Sequence, residues 1–484
     1  MEKFAEIKPL KIFILLTVGF FIFYSVQISF WTSRADVLTF ASRSSADTPI
    51  LKYAYLNYKS LLGALVLPNY HLGHTIVLWV VYHLMPDRLV SSVWPAGLVS
   101  AFSGAFIVGL TFLIWVKLGI SKYRSLIISV FTGLIPSIWF HNTFGEIYAL
   151  QLVSILSFLY FFLSKKYILA TIAFLFACLV SPLSGLSFSL ILLADWKKEI
   201  FIKAFFVGFA ALVLYTLIFI AIGSDVLKIF DQLQNEYAGR SFLYRLFILI
   251  LFLLLNFNFF ILFFIKGWKQ AQSETKTLFQ KLQLALVPQL FLLFLGSTFF
   301  IELGSFQIPL FWGLAFPVGL ALSNVKLYSP KVILPLLGSI ILTIVLWQIP
   351  DRIMAIDRHD AGEWLKANRY TKIKVIGDWY SSIAVLLERN NWNFKILSDD
   401  YFDRSYPSDS DFLATGEDSL IVVCSKKPKL RKLVSKLPIE GFKLNIYNPA
   451  KRLKSGKTEK VYENDSVILY KWKKYHPLIS KNQI

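Results

Sequence analysis

Carboxylate and imidazole side chains gather in two segments of a chain that is otherwise rich in apolar residues. They are Asp36, Asp47, His71 and His74 in segment 31–92, and His141 and Glu146 in the segment "WFHNTFGEIYALQL". A carboxylate near imidazoles and other carboxylates is what a general base needs to take a proton from a hydroxyl group. These residue types therefore predict general-base chemistry on a hydroxyl, provided that the fold brings the two segments together.

Glu146 stands at the head of an apolar run, residues 146–163, where a membrane span tolerates a carboxylate better than at its centre. A second interpretation gives this residue no chemistry. A negative charge at a helix N-terminus meets the positive end of the helix dipole, so Glu146 could act only as a helix cap. The histidines, likewise, could only form hydrogen bonds within a folded loop. The sequence leaves both interpretations open.

Membrane-spanning helices are the elements that must position these residues. Hydrophobic residues make up 56% of the 484 positions, the mean hydropathy is +0.58, and apolar runs of about 20 residues recur, as a bilayer core requires. We predict about eleven spans, near residues 10–30, 93–116, 125–140, 146–163, 167–181, 183–194, 201–222, 245–265, 282–302, 306–322 and 331–349. The first run is long for a signal peptide, so we interpret it as a retained span.

The formal net charge of +20 comes from short basic clusters between the apolar runs, a pattern that sets membrane orientation and does not indicate a nucleic-acid partner. If the N-terminus is cytoplasmic, every cytoplasmic loop is basic. The clusters are Lys117/Lys122/Arg124, Lys165/Lys166, Lys197/Lys198/Lys203, Lys266/Lys269/Lys276/Lys281 and Lys326/Lys331. The opposite short loops carry far fewer basic residues. We therefore predict a multi-pass protein of the plasma membrane with its N-terminus in the cytoplasm.

Two soluble parts then face outward: the first loop, 31–92, and the tail, 351–484, which follows a membrane domain of residues 1–350. The tail alternates helical and strand patterns, which predicts a small extracytoplasmic α/β domain. The patterns are a helix in "DAGEWLKAN", strands in "KIKVIG", "FKILS", "SLIVVCS", "FKLNIY" and "SVILYKW", and helices in "SSIAVLLERN" and "KPKLRKLVSKL". The tail has no glycine-rich phosphate loop, so a structural or docking role is favoured.

Charged side chains are nearly absent from the interior of the predicted spans after residue 93. Glu302 and Arg245 lie at the ends of runs. Ion-coupled transporters, and flippases of charged glycolipids, usually carry ionisable residues within their spans, so the pattern argues against transport. The two cysteines, Cys178 and Cys424, form neither a metal-binding motif nor a disulfide framework.

Several of these segments together resemble the GT-C superfamily of polytopic membrane glycosyltransferases. The chain is most similar to its protein O-mannosyltransferase-like members in "SSADTPILKYAYL", "LPNYHLGHTIVLWVVYHLMP", "SSVWPAGLVSAFSGAFIVGLTFLIW" and "PSIWFHNTFGEIYALQLVSILSF". Relatives often carry a carboxylate pair and a His-Pro-Pro segment. Here Asp47 is followed by Thr48 and Pro49, and "HLGH" stands in place of the prolines. Asp36, nearer the first span, is the alternative acidic residue.

The resemblance implies an enzyme that transfers a sugar from a polyprenyl-phosphate-linked donor to an acceptor hydroxyl at the outer face of the membrane. Asp47, or Asp36 in its place, would then be the general base, with Glu146 as a further catalytic candidate. The remaining candidates would bind substrate: Lys228, Arg240, His71 and His74 at the departing phosphate, and Trp139, His141 and Tyr148 at the sugar or prenyl chain. Lys228 and Arg240 could instead meet anionic lipid headgroups, and the aromatic residues could belong to an interfacial belt.

No metal site and no cofactor are predicted, because the carboxylates lack tight ligand spacing; a divalent cation held by a carboxylate pair is the alternative. The acceptor is a protein, a lipid or a glycan, and the sequence does not choose among them. Two other functions stay open. One is a transporter or flippase of lipid-linked glycans, and the other is a non-catalytic membrane scaffold that presents the tail domain.

Overall fold

A computed structural model of the chain describes most of the predicted membrane domain and part of the tail. The described residues are 6–28, 71–85, 94–194, 197–221, 242–295, 305–326, 328–345, 357, 360–370, 372–376, 395–396, 419–425, 456–464 and 467–474. They fall into two compact units, one formed by the helices up to residue 345 and one by residues 357–474.

Helices make up nearly all of the first unit's described residues. In chain order they are α1 (Pro9–Ser25), α2 (Leu72–Leu84), α3 (Trp94–Lys117), α4 (Lys122–Leu134), α5 (Pro136–His141), α6 (Ile147–Leu163), α7 (Tyr167–Val180), the 3₁₀-helix Pro182–Leu193, α8 (Lys198–Ala221), α9 (Phe242–Phe257), a 3₁₀ turn at Asn258–Phe260, α10 (Ile261–Glu274), α11 (Lys276–Leu295), a 3₁₀ turn at Ser305–Gln307, α12 (Ile308–Ser323) and α13 (Pro330–Thr343). Each predicted apolar run overlaps helical structure within the described residues, but the run 125–140 is divided at Ile135 and the run 245–265 at the turn Asn258–Phe260. Helix α2, within the first loop, was not predicted.

Proline begins several of these helices, because its fixed φ suits the first helical position and its missing N–H would have no partner there. Pro9, Pro136 and Pro330 each occupy the start of a helix. By length and composition, α3, α8 and the helical stretch Leu246–Glu274 are apolar enough to cross a membrane, and shorter apolar helices accompany them. The described membrane domain is therefore mainly α-helical, as predicted.

Helix α3 lies at the centre of the bundle and packs against α1, α4 and α6. Small residues allow the backbones to approach, as is common between helices in membranes. A Cβ added at Gly109 would lie 2.7 Å from the Phe13 ring of α1. Nearer the end of α3, Trp115 stacks on Trp312 of α12 at 5.4 Å, and the Trp312 indole N–H donates to Thr111 Oγ1 at 3.0 Å.

The loops predicted to be cytoplasmic contact one another at one end of the bundle, which we call the basic end. The contacts are Lys122 Nζ to the Ile7 carbonyl at 2.9 Å, Arg124 to Glu274 at 2.7 Å, and Lys281 Nζ to the Ala194 carbonyl at 2.9 Å. Their common location is what the alternation of basic and non-basic loops requires. Which side of the membrane this end faces stays a prediction.

The second unit contains a mixed five-stranded sheet. Its strands are β1 (Lys372–Ile376), β2 (Lys395–Ile396), β3 (Ser419–Ser425), β4 (Gly456–Glu463) and β5 (Val467–Lys474), in the order β2-β1-β3-β5-β4. Strand β1 is parallel to β2 and β3, whereas β5 is antiparallel to β3 and β4. A helix over residues 360–367 contributes to the core, which comprises Ala361, Leu365, Ile421, Val467 and Leu469.

Four of the predicted tail strands coincide with β1, β2, β3 and β5. Strand β4 was missed, because "GKTEKVYE" is mostly polar and lacks the apolar alternation that marks a half-buried strand. The predicted strand "FKLNIY" and the predicted helices "SSIAVLLERN" and "KPKLRKLVSKL" lie outside the described residues.

Candidate functional site

A buried imidazole–carboxylate pair joins His141, at the end of α5, to Glu146, immediately before α6. His141 Nδ1 lies 3.1 Å from Glu146 Oε2, and the two side chains are only 1% and 4% exposed. A carboxylate oxygen only accepts when ionised, so the Nδ1–H donates to it. Buried carboxylates need such partners, and this bond fixes the orientation of the Glu146 side chain.

Glu146 occupies the N-cap position of α6, but its side chain makes no capping hydrogen bond. The carboxylate bonds to His141, five residues earlier, across the turn that follows α5. Glu146 thus occupies the helix N-terminus, where its charge can meet the helix dipole, and its carboxylate is also bonded to His141. Whether it has a chemical role stays a prediction. The same contact shows that His141 orients a carboxylate, a role that its sequence context did not reveal.

Helix α5 is held in place from both of its ends. At its start, the Ser137 backbone N–H, which has no partner within a short helix, donates to Asn256 Oδ1 of α9 at 2.8 Å. After its end, the Ser100 hydroxyl of α3 donates to the Glu146 carbonyl at 3.3 Å. Gly145 lies so close to α3 that an added Cβ would be 2.7 Å from the Ala96 Cβ. The pair is thus mounted on a rigid part of the bundle.

Aromatic rings surround the pair. The Tyr148 ring meets the His141 ring edge to face, with centroids 4.7 Å apart. Trp139 is buried, its ring lies 5.3 Å from that of Phe23, and its indole N–H donates to Gln27 Oε1 of the α1 C-terminal turn at 2.8 Å. Trp139 therefore ties α5 to α1, and Tyr148 stands beside the imidazole.

His71 and His74 lie at the start of α2, which packs against α3 and α7. His71 Nδ1 is 2.8 Å from the carbonyl oxygen of Val180, the last residue of α7. His74 is 1% exposed, and neither of its ring nitrogens has a hydrogen-bond partner within the part of the chain that the structure describes. His71 thus anchors α2 to α7, whereas both ring nitrogens of His74 are available to bind another group.

The two groups of candidate residues occupy the same end of the bundle. Helices α6 and α7 form an antiparallel hairpin closed at Ser164–Lys166, so the start of α6 and the end of α7 lie at the opposite end from that turn. Glu146 precedes the former and His71 contacts the latter. We call this the site end, and it is opposite the basic end.

The other predicted site residues, Asp36, Asp47, Lys228 and Arg240, lie outside the described residues. No cluster of three or more potential metal ligands occurs among the residues that the structure describes. Sequence analysis missed three residues that support the pair: Asn256, Ser100 and Gln27. A spacing signal existed only for Ser100, which lies between Gly97 and Gly104 in the small-residue pattern "GLVSAFSG" of α3.

The arrangement of helices matches that of a solved structure. The chain is similar in structure to ArnT from Cupriavidus metallidurans in its apo state. The TM-score is 0.53, and the match covers 95% of this chain and 97% of ArnT at 12% sequence identity. No family model and no curated protein sequence matches the chain. At this identity the similarity establishes the fold alone.

Proposed function

We propose that the protein is an integral membrane glycosyltransferase that transfers a sugar from a polyprenyl-phosphate-linked donor to an acceptor hydroxyl at the outer face of the plasma membrane. The observation that carries this proposal is the buried His141–Glu146 pair at the site end of a GT-C fold. A carboxylate held rigidly by an imidazole and surrounded by rings is expensive to bury, and such costs are usually met where chemistry needs them.

The reaction needs a base and a group that accepts developing charge. In the proposed mechanism the acceptor hydroxyl attacks the anomeric carbon, Asp47 removes its proton, and the bond from that carbon to the phosphate oxygen breaks. Asp36 is the alternative base. Lys228 and Arg240 neutralise the departing phosphate, and His74 donates a hydrogen bond to it. The lipid tail of the donor stays in the bilayer, which is why these groups belong at an end of the bundle.

Glu146 contributes a second carboxylate, whose orientation His141 fixes. Its proposed part is to bind the sugar or the acceptor next to the base, and Tyr148 forms one side of the same site. The protein O-mannosyltransferase-like sequence pattern leaves the sugar open, and the acceptor is a protein, a lipid or a glycan.

Metal independence is part of the proposal and has its own test. Glu146 together with a carboxylate of the first loop could hold a divalent cation, which prefers oxygen ligands. Turnover that survives dialysis against a chelator supports metal independence. Turnover that is lost on chelation and restored by added Mg²⁺, Mn²⁺ or Ca²⁺ would contradict it.

The test of the function uses the full-length protein reconstituted in lipid vesicles with a panel of polyprenyl-phosphate sugars. A glycosyltransferase releases polyprenyl phosphate from one of these donors when acceptor is present. A flippase would move the donor between leaflets without cleaving it, which a leaflet-specific sugar probe detects. A scaffold would do neither, and either of these last two results would overturn the proposal.

A further inference from the structure

Three polar side chains lie buried between the 3₁₀-helix Pro182–Leu193 and α11. Ser184, Ser187 and Gln289 are each 1% exposed or less, and Gln289 Nε2 donates to Ser187 Oγ at 3.1 Å. Amide and hydroxyl groups are costly inside a membrane-embedded bundle unless they have hydrogen-bond partners. We call these three residues the polar seam.

The 3₁₀ geometry aligns the serines. Side chains three residues apart eclipse one another in a 3₁₀-helix, and the buried positions of this helix follow that spacing: Ser184, Ser187, Leu190 and Leu193. At a rise of about 2 Å per residue, Ser184 and Ser187 are about 6 Å apart along the helix. Gln289 therefore meets the stripe at Ser187, with Ser184 one turn nearer the site end.

A hydrogen bond outside the polar seam joins the two helices near Pro288, which lies inside α11 and lacks a backbone N–H. Ser189, on another face of the 3₁₀-helix, donates to the Ala285 carbonyl of α11 at 2.6 Å. Ser189 thus joins the two helices at this point.

The hydrogen bonds just described leave two polar atoms of the polar seam. Gln289 Oε1 and Ser184 Oγ have no hydrogen-bond partner among the residues that the structure describes. One is an acceptor and the other a hydroxyl, and Ser184 lies one 3₁₀ turn from the serine that Gln289 contacts. A hydroxyl group placed between the two can donate to Gln289 Oε1 and accept from Ser184 Oγ.

The chemistry of the two elements restricts what such a hydroxyl belongs to. Residues 182–193 and 282–295 contain no charged side chain, so the polar seam suits a neutral group and not a phosphate. A prenyl chain has no hydrogen-bonding group at all. The polar seam begins two residues after Pro182, and the 3₁₀-helix follows directly on Val180, whose carbonyl bonds to His71 at the site end.

We propose that Gln289, Ser184 and Ser187 bind a ring hydroxyl of the donor sugar and so select which sugar is transferred. This inference rests on the proposed function, because it takes the donor to be a lipid-linked sugar. The site would be a specificity determinant, separate from the His141–Glu146 pair and from the groups proposed for the phosphate.

The experiment compares the donor that the wild-type protein uses with deoxy analogues, each lacking one ring hydroxyl. The wild type should prefer the parent donor over one of the analogues by about 10-fold to 100-fold in kcat/KM, as expected for a buried polar site. In Gln289→Leu and in Ser184→Ala this preference should fall to about 3-fold or less. Inhibition by polyprenyl phosphate, which has no sugar, should not change.

Ser189→Ala is the matched control, because Ser189 lies on the same helix and is already bonded to Ala285. It should keep the wild-type preference. If Gln289→Leu fails to fold, as judged by gel filtration and thermal melting, the smaller change Ser184→Ala decides the question. Unchanged preferences in a folded variant that turns over the donor would overturn this inference alone. Absence of turnover by the wild type with every donor would overturn the proposed function and this inference with it.

Discussion

Glu146 is a carboxylate almost entirely removed from solvent, and the His141 imidazole supplies one of its hydrogen bonds. Removing one partner of such a buried pair costs more than the pair contributes, because the other partner loses a hydrogen bond that water cannot replace. The pair can therefore affect protein stability and enzyme activity separately. A substitution that keeps the hydrogen bond but removes the charge tests the effect on activity with little effect on stability.

Glu146→Gln keeps the size of the side chain and an oxygen that accepts from His141, but it removes the charge. We expect polyprenyl phosphate release to fall about 100-fold or more, in the range found for groups that act in acid–base chemistry. The thermal midpoint should change little. Glu274→Gln is the matched control, because that carboxylate pairs with Arg124 at the basic end. Equal activities of the two variants would contradict the role of Glu146.

His141→Ala leaves the Glu146 carboxylate buried without its imidazole partner. We expect the free energy of unfolding to fall by about 3 kcal/mol or more, measured by denaturant titration in mixed micelles. The double variant His141→Ala/Glu146→Gln should recover part of this loss, because an amide is less costly to bury than a charge. A His141→Ala protein as stable as the wild type would show that the bond to His141 does not offset the cost of burying Glu146.

At the scale of elements, close approach between helices depends on positions without a side chain. Helix α1 packs against α3 at Gly109, where an added Cβ would meet both Thr17 and the Phe13 ring. Overpacking of this kind forces shifts of side chains or backbone, whereas a glycine that faces open space does not impose this constraint.

Gly109→Ala should lower the free energy of unfolding by about 1–3 kcal/mol, the usual cost of an extra methyl group in a packed core. Gly19→Ala, in α1 itself, is the control, because nothing lies within 4 Å of its added Cβ. It should leave stability unchanged or raise it slightly through better helix propensity. Thermal melting in one detergent compares both variants, and a Gly109→Ala protein no less stable than Gly19→Ala would contradict this packing.

Helices and strands with a strong apolar pattern were predictable from the sequence. The runs at 93–116 and 146–163 coincide with α3 and α6, and "SLIVVCS" coincides with β3. The conformation of residues 182–193 was not predictable, because an apolar run does not distinguish a 3₁₀-helix from an α-helix. The pairing of His141 with Glu146 also escaped sequence analysis, since it depends on a turn whose path α3 sets.

At the scale of the whole molecule, both the distribution of charge and the fold distinguish two ends of the helical bundle. Basic loops meet at one end, and the candidate site residues that the structure describes lie at the other. The fold shared with ArnT extends over nearly the whole chain, because the match covers 95% of it. The proposed reaction requires the site end to face outward, because the acceptor is proposed to approach from that side.

Orientation can be tested with single cysteines in a background where Cys178 and Cys424 are replaced by serine. Lys276→Cys places a thiol at the basic end, and Lys473→Cys places one at an exposed position near the end of β5. In intact cells, a membrane-impermeant maleimide should label the second variant, and it should label the first only after permeabilisation. The reverse pattern would contradict the predicted orientation.

Release of polyprenyl phosphate tests the central claim most directly. The purified wild-type protein, Asp47→Ala and Asp36→Ala would be incubated in parallel with the panel of polyprenyl-phosphate sugars and acceptor. We predict release by the wild type and by Asp36→Ala from at least one donor, and a loss of about 100-fold or more in Asp47→Ala, as expected when a general base is removed. No release by folded wild-type protein from any donor would contradict the account, and loss in Asp36→Ala alone would transfer the role of base to that residue.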